Sequence, residues 1–183
     1  MTHVTLAVTG SISAYKAADI TSQLGKLGYS VSVLMTEAAS HFITPLTLQV
    51  LSKNPVSLDL MDEPRPDKVN HIEIGKETNL FLVAPATANT IAKLANGLAD
   101  NMVTATALAL PSHVKKAIAP AMNTKMYENP LTQHNLERLK KFGWEIIAPR
   151  EAVLACGDHG TGALADVNII IEKVKEIINE KTI

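Results

Sequence analysis

The chain has 183 residues, 46% of them hydrophobic and 19% charged, which suits one domain over residues 1–183 and is short for two. Its 17 basic and 18 acidic residues leave a net charge of −1, so nothing predicts nucleic-acid or membrane partners. One cysteine excludes an internal disulfide and a cysteine-based zinc site. The N-terminus lacks a signal-peptide pattern, and we expect a cytoplasmic protein.

Short apolar runs alternate with helical patterns in the first half of the chain. The predicted elements are a strand over residues 3–9, a helix over 13–27, a strand over 30–35 and a helix over 40–51. Gly28 is a natural stop for the first helix, and Pro45 restricts where the second can begin. The proline-containing segment 62–67 is the clearest loop.

The same alternation continues in the second half. The predictions are a strand over residues 80–84, one or two helices over 87–110 with a break near 97–101, strands over 113–119 and 144–148, and a helix over 166–181. The run LFLVA at residues 80–84 suits a strand buried on both faces. The whole pattern predicts an α/β fold with a doubly wound, mainly parallel sheet, a Rossmann-like or flavodoxin-like three-layer sandwich.

Ligands of such folds bind beyond the carboxyl ends of the strands, where residues 10–15, 36–39 and 85–90 fall. The turn Gly10, Ser11, Ile12 can approach a ligand and offer free N–H groups to a phosphate or a polar ring edge. It equally fits an ordinary strand-to-helix turn with Ser13 as the N-cap. It is not a GxGxxG motif, so a dinucleotide is not indicated.

Polar residues also open the helix after the buried strand. The side chains of Thr87, Asn89 and Thr90, with the free N–H groups of the first turn, can surround a phosphate. A capped helix start needs only one of the three, so we favour a binding site here.

Three further segments contain chemically capable side chains. Asn123 can donate a hydrogen bond to a carboxylate or a flavin carbonyl. Met122 and Met126, four residues apart, favour core packing over ligand contact, so this segment alone does not predict a site. Residues 155–162, ACGDHGTG, predict a mobile, glycine-rich loop carrying an exposed Cys156. His71 is either a surface or capping residue or a general base. No histidine spacing predicts a metal site.

Taken together, five motifs resemble the flavin-containing cysteine decarboxylases. They are the GSIxAYK-type start at residues 10–16, His-Ile at 71–72, PATANT at 85–90, PAMNxxM at 120–126 and ACGDxGxG at 155–162. The resemblance is strongest to the members that act on 4′-phosphopantothenoylcysteine in coenzyme A biosynthesis. Because little chain follows the last predicted helix, we expect the stand-alone form without a fused ligase.

The resemblance implies FMN as cofactor and assigns residues by position. The implied flavin-binding residues are Gly10, Ser11, Ile12, Thr36, Thr87, Ala88, Asn89, Thr90 and Ala121. The implied catalytic residues are His71 as base and Cys156 as proton donor, and Asn123 and Met126 are the implied substrate-binding residues. The resemblance also implies a homo-oligomer built from trimers, with the flavin at a subunit interface, so that His71 meets a cofactor held mainly by a neighbour.

The implied reaction is redox-neutral. The flavin oxidises the cysteinyl CH₂–SH group to a thioaldehyde, CO₂ leaves to give an enethiol, and the enethiol is reduced to 4′-phosphopantetheine. The sequence departs from the family at Tyr127, where Trp is common, and at Ala163 and Leu164, where Arg and Met are usual. Alternative functions are a peptidyl-cysteine decarboxylase and a non-catalytic flavin-binding regulatory subunit; a flavin prenyltransferase fits the motifs less well.

Overall fold

The computed structural model describes residues 1–63, 66–155 and 157–179. In this part of the chain six strands form one parallel sheet with helices packed on both faces. The strands are β1 (His3–Val8), β2 (Ser30–Met35), β3 (Val56–Ser57), β4 (Leu80–Ala86), β5 (Lys115–Pro120) and β6 (Trp144–Ile146). Strands β7 (Arg150–Val153) and β8 (His159–Ala163) form a separate antiparallel hairpin.

A 3₁₀ helix over Ile12–Lys16 precedes the α-helices. These are α1 (Ala17–Lys26), α2 (Glu37–Ser40), α3 (Pro45–Ser52), α4 (Asn70–Glu77), α5 (Ala88–Asn96), α6 (Met102–Leu108), α7 (Thr124–Glu128), α8 (Pro130–Lys141) and α9 (Val167–Asn179). No helix in the described ranges has the length and apolar character needed to cross a membrane.

The strand order, β3-β2-β1-β4-β5-β6, sets the position of the functional edge. The chain runs outward from β1 to β3, returns to β4 beside β1, and then runs outward to β6. The connections after β1 and β4 therefore leave adjacent strands in opposite directions. Such a reversal opens a crevice at the carboxyl edge of a parallel sheet. The predicted doubly wound α/β fold is confirmed.

Alternating side chains of the central strands divide the core into two layers. Val4, Leu6 and Val8 pack in one cluster with α1 and α9, whereas Ala7 packs in the other with α5 and α6. This alternation follows from the two-residue period of a strand. All seven residues of β4 are buried, as the continuous apolar run predicts for a central strand.

Several predicted boundaries differ from the structure. The single helix expected over residues 40–51 is two helices, α2 and α3, because Pro45 occupies the first turn of α3 behind the N-cap Thr44. Strand β4 runs through Pro85 to Ala86 with a register shift against β5. The first N-cap is Ser11 rather than Ser13. Strand β3, helices α4, α7 and α8 and the hairpin were not predicted. Pro64 and Arg65 of the predicted loop lie outside the described residues.

Candidate functional site

A cavity of about 940 Å³ opens at the carboxyl edge of the sheet, where β1 and β4 lie side by side. This volume is in the range of small-molecule sites, which hold about 300–1,000 Å³. The predicted site residues in its wall are Gly10, Ser11, Ile12, Thr36, Thr87, Ala88, Asn89, Thr90, Ala121, Asn123 and Met126. The three strand-end segments named from the sequence therefore share one cleft.

The turn after β1 is held between two short helices. The Ser11 hydroxyl accepts a hydrogen bond from the Ser13 N–H (3.3 Å), and Thr36 caps α2 by accepting one from the Ala39 N–H (3.3 Å). A Cβ on Gly10 would lie 2.5 Å from the Ala38 Cβ, so only glycine lets α2 pack this closely. The two turns thus form one continuous wall of the cavity.

Thr9 joins the ends of β1 and β4. Its side chain is fully buried; its hydroxyl donates to the Pro85 carbonyl (2.7 Å) and accepts from the Thr87 N–H (3.0 Å). The Thr9 N–H also donates to the Pro85 carbonyl (3.3 Å). This single side chain fixes the turn at Gly10 relative to the start of α5.

The start of α5 presents hydrogen-bond donors to the cavity. Thr87 is extended and its hydroxyl accepts from the Thr90 N–H (3.2 Å), which makes Thr87 the N-cap. The N–H groups of Ala88 and Asn89 have no partner within the helix, because the first turn of a helix lacks upstream carbonyls. Both residues line the cavity, so donors and the positive end of the helix dipole suit an anion there.

A further part of the cavity wall is formed by the segment after β5 and by the hairpin. The Asn123 amide oxygen accepts from the Lys125 N–H (2.9 Å), which gives the amide group a defined orientation beside the cavity. The Met122 N–H donates to the Gly162 carbonyl (2.9 Å). A Cβ on Gly162, which has φ +152°, would lie 2.3 Å from the Met122 carbonyl oxygen, and a Cβ on Gly160 would lie 2.6 Å from the Thr124 hydroxyl.

These close contacts correct the prediction for the glycine-rich segment. Residues 159–162 belong to strand β8 rather than to a mobile loop, and their glycines permit packing against residues 122–124. Between β7 and β8, the Leu154 N–H donates to the Asp158 carbonyl (2.8 Å). Cys156 lies outside the described residues; Leu154 and Ala155, which precede it, line the cavity.

His71 is not brought together with the other predicted residues. It lies in the first turn of α4 and is not among the residues that line the cavity in the described chain. Its Nδ1 atom is buried and has no hydrogen-bond partner there. Hydrogen bonds from Lys68 and Lys76 lower the pKa of the nearby Glu73 to about 2, so an anionic carboxylate lies on the same helix.

Sequence reasoning missed several cavity residues. Lys93 and Asp100 form an ion pair with Nζ and Oδ2 2.5 Å apart, and the hydrogen bond from Lys93 lowers the pKa of Asp100. Arg150 and Val153 of the unpredicted β7 also line the cavity. Lys93 precedes the predicted helix break at residues 97–101, and Asp100 lies within it. Opposite charges seven residues apart were the available signal, and no pattern marked the hairpin.

Comparison with known proteins gives consistent matches. The chain is 63% identical over 173 residues to a probable phosphopantothenoylcysteine decarboxylase of Streptococcus mutans serotype c, covering 94% of this chain and 97% of the relative. It is 43% identical over 180 residues to the coenzyme A biosynthesis bifunctional protein CoaBC of Bacillus subtilis strain 168, covering 98% of this chain but 44% of that relative.

Solved structures agree with these relatives. A PPC decarboxylase variant complexed with pantothenoylaminoethenethiol superposes with a TM-score of 0.86 at 33% identity, covering 96% of this chain and 97% of that one. The FMN-dependent cysteine decarboxylase SpaF gives 0.85 at 27% identity, covering 97% and 95%. The Flavoprotein family model matches residues 1–179. The chain therefore belongs to the Flavoprotein family.

Proposed function

We propose that the protein decarboxylates 4′-phosphopantothenoylcysteine to 4′-phosphopantetheine with FMN, a step of coenzyme A biosynthesis in the cytoplasm. The observation that carries this proposal is one cavity lined both by the start of α5, whose N–H groups suit an anion, and by Asn123. The names of the Streptococcus mutans relative and of the PPC decarboxylase structure support the choice of substrate.

The residues of the cavity fit FMN. The N–H groups of Ala88 and Asn89 and the hydroxyls of Thr87 and Thr90 suit its phosphate, because they combine donors with a helix N-terminus. Gly10, Ser11, Ile12, Thr36 and Ala121 leave a wall of small or apolar groups suited to an isoalloxazine ring. When bound, FMN supplies reversible two-electron oxidation, which amino-acid side chains do not provide.

The chain's own residues would bind and orient the substrate. The Asn123 side-chain NH₂, directed by the hydrogen bond that its oxygen accepts from Lys125, would donate to the cysteinyl carboxylate before CO₂ leaves. Met126 and Val153, both exposed at the cavity in the single chain, would cover the reacting carbons and exclude water. Cys156 is the proposed acid, since a thiol with a pKa of about 8.5 is mostly protonated at neutral pH.

We also propose that His71 acts in the cavity of a neighbouring copy within a trimer-based oligomer. Two observations support this. Within the described residues, His71 is not part of the cavity lining and its buried Nδ1 has no hydrogen-bond partner. Ile12 and Tyr15, on the cavity wall, are 57% and 59% exposed, an exposure of large apolar side chains that a partner would cover.

The proposed reaction is tested by mass spectrometry. Purified protein with FMN is incubated with 4′-phosphopantothenoylcysteine, and we expect 4′-phosphopantetheine. Loss of CO₂ without reduction would refute the final step, and no loss of CO₂ would refute the function. A peptide ending in cysteine, incubated in parallel, should remain unchanged; its decarboxylation in place of the small substrate would identify a peptidyl-cysteine decarboxylase.

Subunit mixing tests the shared site. His71→Asn and Asn123→Ala should each abolish CO₂ release. If His71 serves a neighbour's cavity, refolding the two variants together creates some sites with both native residues, and activity should partly return. Activity that stays absent in the mixture, while each variant alone forms the oligomer and binds FMN, would place both residues in the site of one copy.

A further inference from the structure

We propose that Arg150 binds an anionic group of the substrate and thereby sets specificity for a negatively charged ligand. The inference rests on the proposed function, because it names a substrate contact of the same cavity. Its basis is the position of Arg150 on the hairpin, the orientation of its guanidinium and its chemistry.

The hairpin carries Arg150 to the cavity wall. Arg150 begins β7 and lies opposite Ala163 of β8, and both residues line the cavity. A register shift separates this pair from the next one, Glu151 and Thr161, so the ladder is irregular here. Ala163, the residue paired with Arg150, has a side chain of one methyl group and takes up little space beside that of Arg150.

The hairpin is also fixed relative to Asn123. The hydrogen bond from the Met122 N–H to the Gly162 carbonyl joins β8 to the residue before Asn123. The close approach of Gly160 to Thr124 joins the same strand to the residue after it. Arg150 and Asn123 thus belong to one packed unit, so a ligand held by Asn123 has the Arg150 strand beside it.

An ion pair orients the guanidinium. The Nε atom of Arg150 lies 3.2 Å from an Asp166 carboxylate oxygen, and the two side chains are 42% and 61% exposed. A pair this exposed adds little stability. Its main consequence is directional, because the contact engages one of the five N–H groups of the guanidinium. The planar fork of arginine suits carboxylates and phosphates.

The other cations of the wall are placed differently. The described lining contains five charged side chains: Lys16, Glu37, Lys93, Asp100 and Arg150. The charge of Lys93 is matched within the cavity by Asp100, 2.5 Å away. Lys16 lies on the 3₁₀ helix beside the Gly10 turn, on the wall proposed for the flavin. Of the three cations in the described lining, Arg150 is the one on the hairpin that packs against the segment containing Asn123.

The placement also accounts for a departure in the glycine-rich motif. Ala163 stands where the motif usually has arginine, and the cross-strand register puts Arg150 directly beside that position. In this chain a guanidinium therefore stands on the strand next to that position.

The test compares substrate binding by three variants of the FMN-loaded protein. Arg150→Met removes the charge, Arg150→Lys keeps the charge without the fork, and Arg138→Met is a control on α8, outside the cavity lining. For Arg150→Met we expect KM to rise about 10- to 100-fold, the loss of one charge-assisted hydrogen bond or pair. The kcat should change little, Arg150→Lys should be intermediate, and Arg138→Met should match the unmodified protein.

Two substrates identify the anion. A rise in KM for 4′-phosphopantothenoylcysteine but not for dephosphorylated pantothenoylcysteine assigns Arg150 to the phosphate, and equal rises assign it to the carboxylate. Either result supports the proposal. A KM within twofold of the unmodified value for both substrates overturns it. A weaker affinity of the apoprotein for FMN, measured by flavin fluorescence, also overturns it by placing Arg150 at the cofactor.

Calorimetry separates this inference from the proposed function. If the unmodified protein binds the phosphorylated substrate but releases no CO₂, the proposed function fails. The dissociation constants then decide the inference: a constant for Arg150→Met at least tenfold above that of the unmodified protein supports it, and one within twofold overturns it. If the unmodified protein binds neither substrate, both proposals are refuted.

Discussion

Thr9→Val tests whether the buried hydroxyl between β1 and β4 organises the cavity. Valine has nearly the same shape, but it removes the hydrogen bonds to the Pro85 carbonyl and from the Thr87 N–H. The Pro85 carbonyl still accepts from the Thr9 N–H, whereas the Thr87 N–H is left without its partner. Two lost hydrogen bonds cost about 0.5–1.5 kcal/mol each, so we expect the free energy of unfolding to fall by about 1–3 kcal/mol.

The same change should weaken FMN binding, because Thr87 begins the helix whose N–H groups face the cavity. We expect about a tenfold rise in the FMN dissociation constant, equivalent to about 1.4 kcal/mol of binding free energy. Flavin fluorescence measures this constant, and urea unfolding of the apoprotein measures stability. Thr9→Ser keeps the hydroxyl and should restore most of both quantities.

Thr5→Val, within β1, provides the matched control. Thr5 is also fully buried, and its hydroxyl pairs with that of Thr78 (2.6 Å), away from the cavity. It should lose stability, by about 1 kcal/mol for one hydrogen bond, without any change in FMN affinity. If Thr5→Val weakens FMN binding as much as Thr9→Val does, or if neither variant does, Thr9 has no specific positioning role and the reasoning is refuted.

Three further outcomes are expected. In Gly162→Ala the new Cβ would lie 2.3 Å from the Met122 carbonyl oxygen, so the contact of the hairpin with residues 122–124 should weaken. We expect KM to rise at least tenfold with little change in FMN affinity, and an unchanged KM would contradict the packing. Burial lowers the pKa of His3 from 6.5, against an opposing effect of Glu77, so the unfolded chain binds more protons and unfolding free energy should fall as pH drops below 6.5. His3→Gln, followed by urea unfolding across pH, should lack that component, and an identical pH profile would exclude it. Thr106→Val should stabilise the protein by about 1 kcal/mol, because the buried Thr106 hydroxyl has no partner in the described residues; a lower melting temperature would indicate an unseen partner.

Local sequence patterns determined the elements and the edge on which the site lies. The two-residue and helical periods identified the principal strands of the sheet and the closing helix, and the apolar run at residues 80–84 predicted the central strand. Cap residues such as Thr87 identified a helix start, because an N-cap depends on side chains only a few positions apart. The order of strands and helices then predicted the fold class and three of the segments that meet in the cavity.

Tertiary structure decided what depends on residues far apart in the chain. Thr9 and Pro85 are 76 positions apart, and no local period records their hydrogen bond. The glycines at 160 and 162 read as signs of a loop, yet the fold uses them for close packing against Thr124 and Met122. The register that sets Arg150 opposite Ala163 also depends on distant residues, because neighbouring residues alone leave strand partners undetermined. Helix docking likewise decided that His71 is not in the described lining of the cavity.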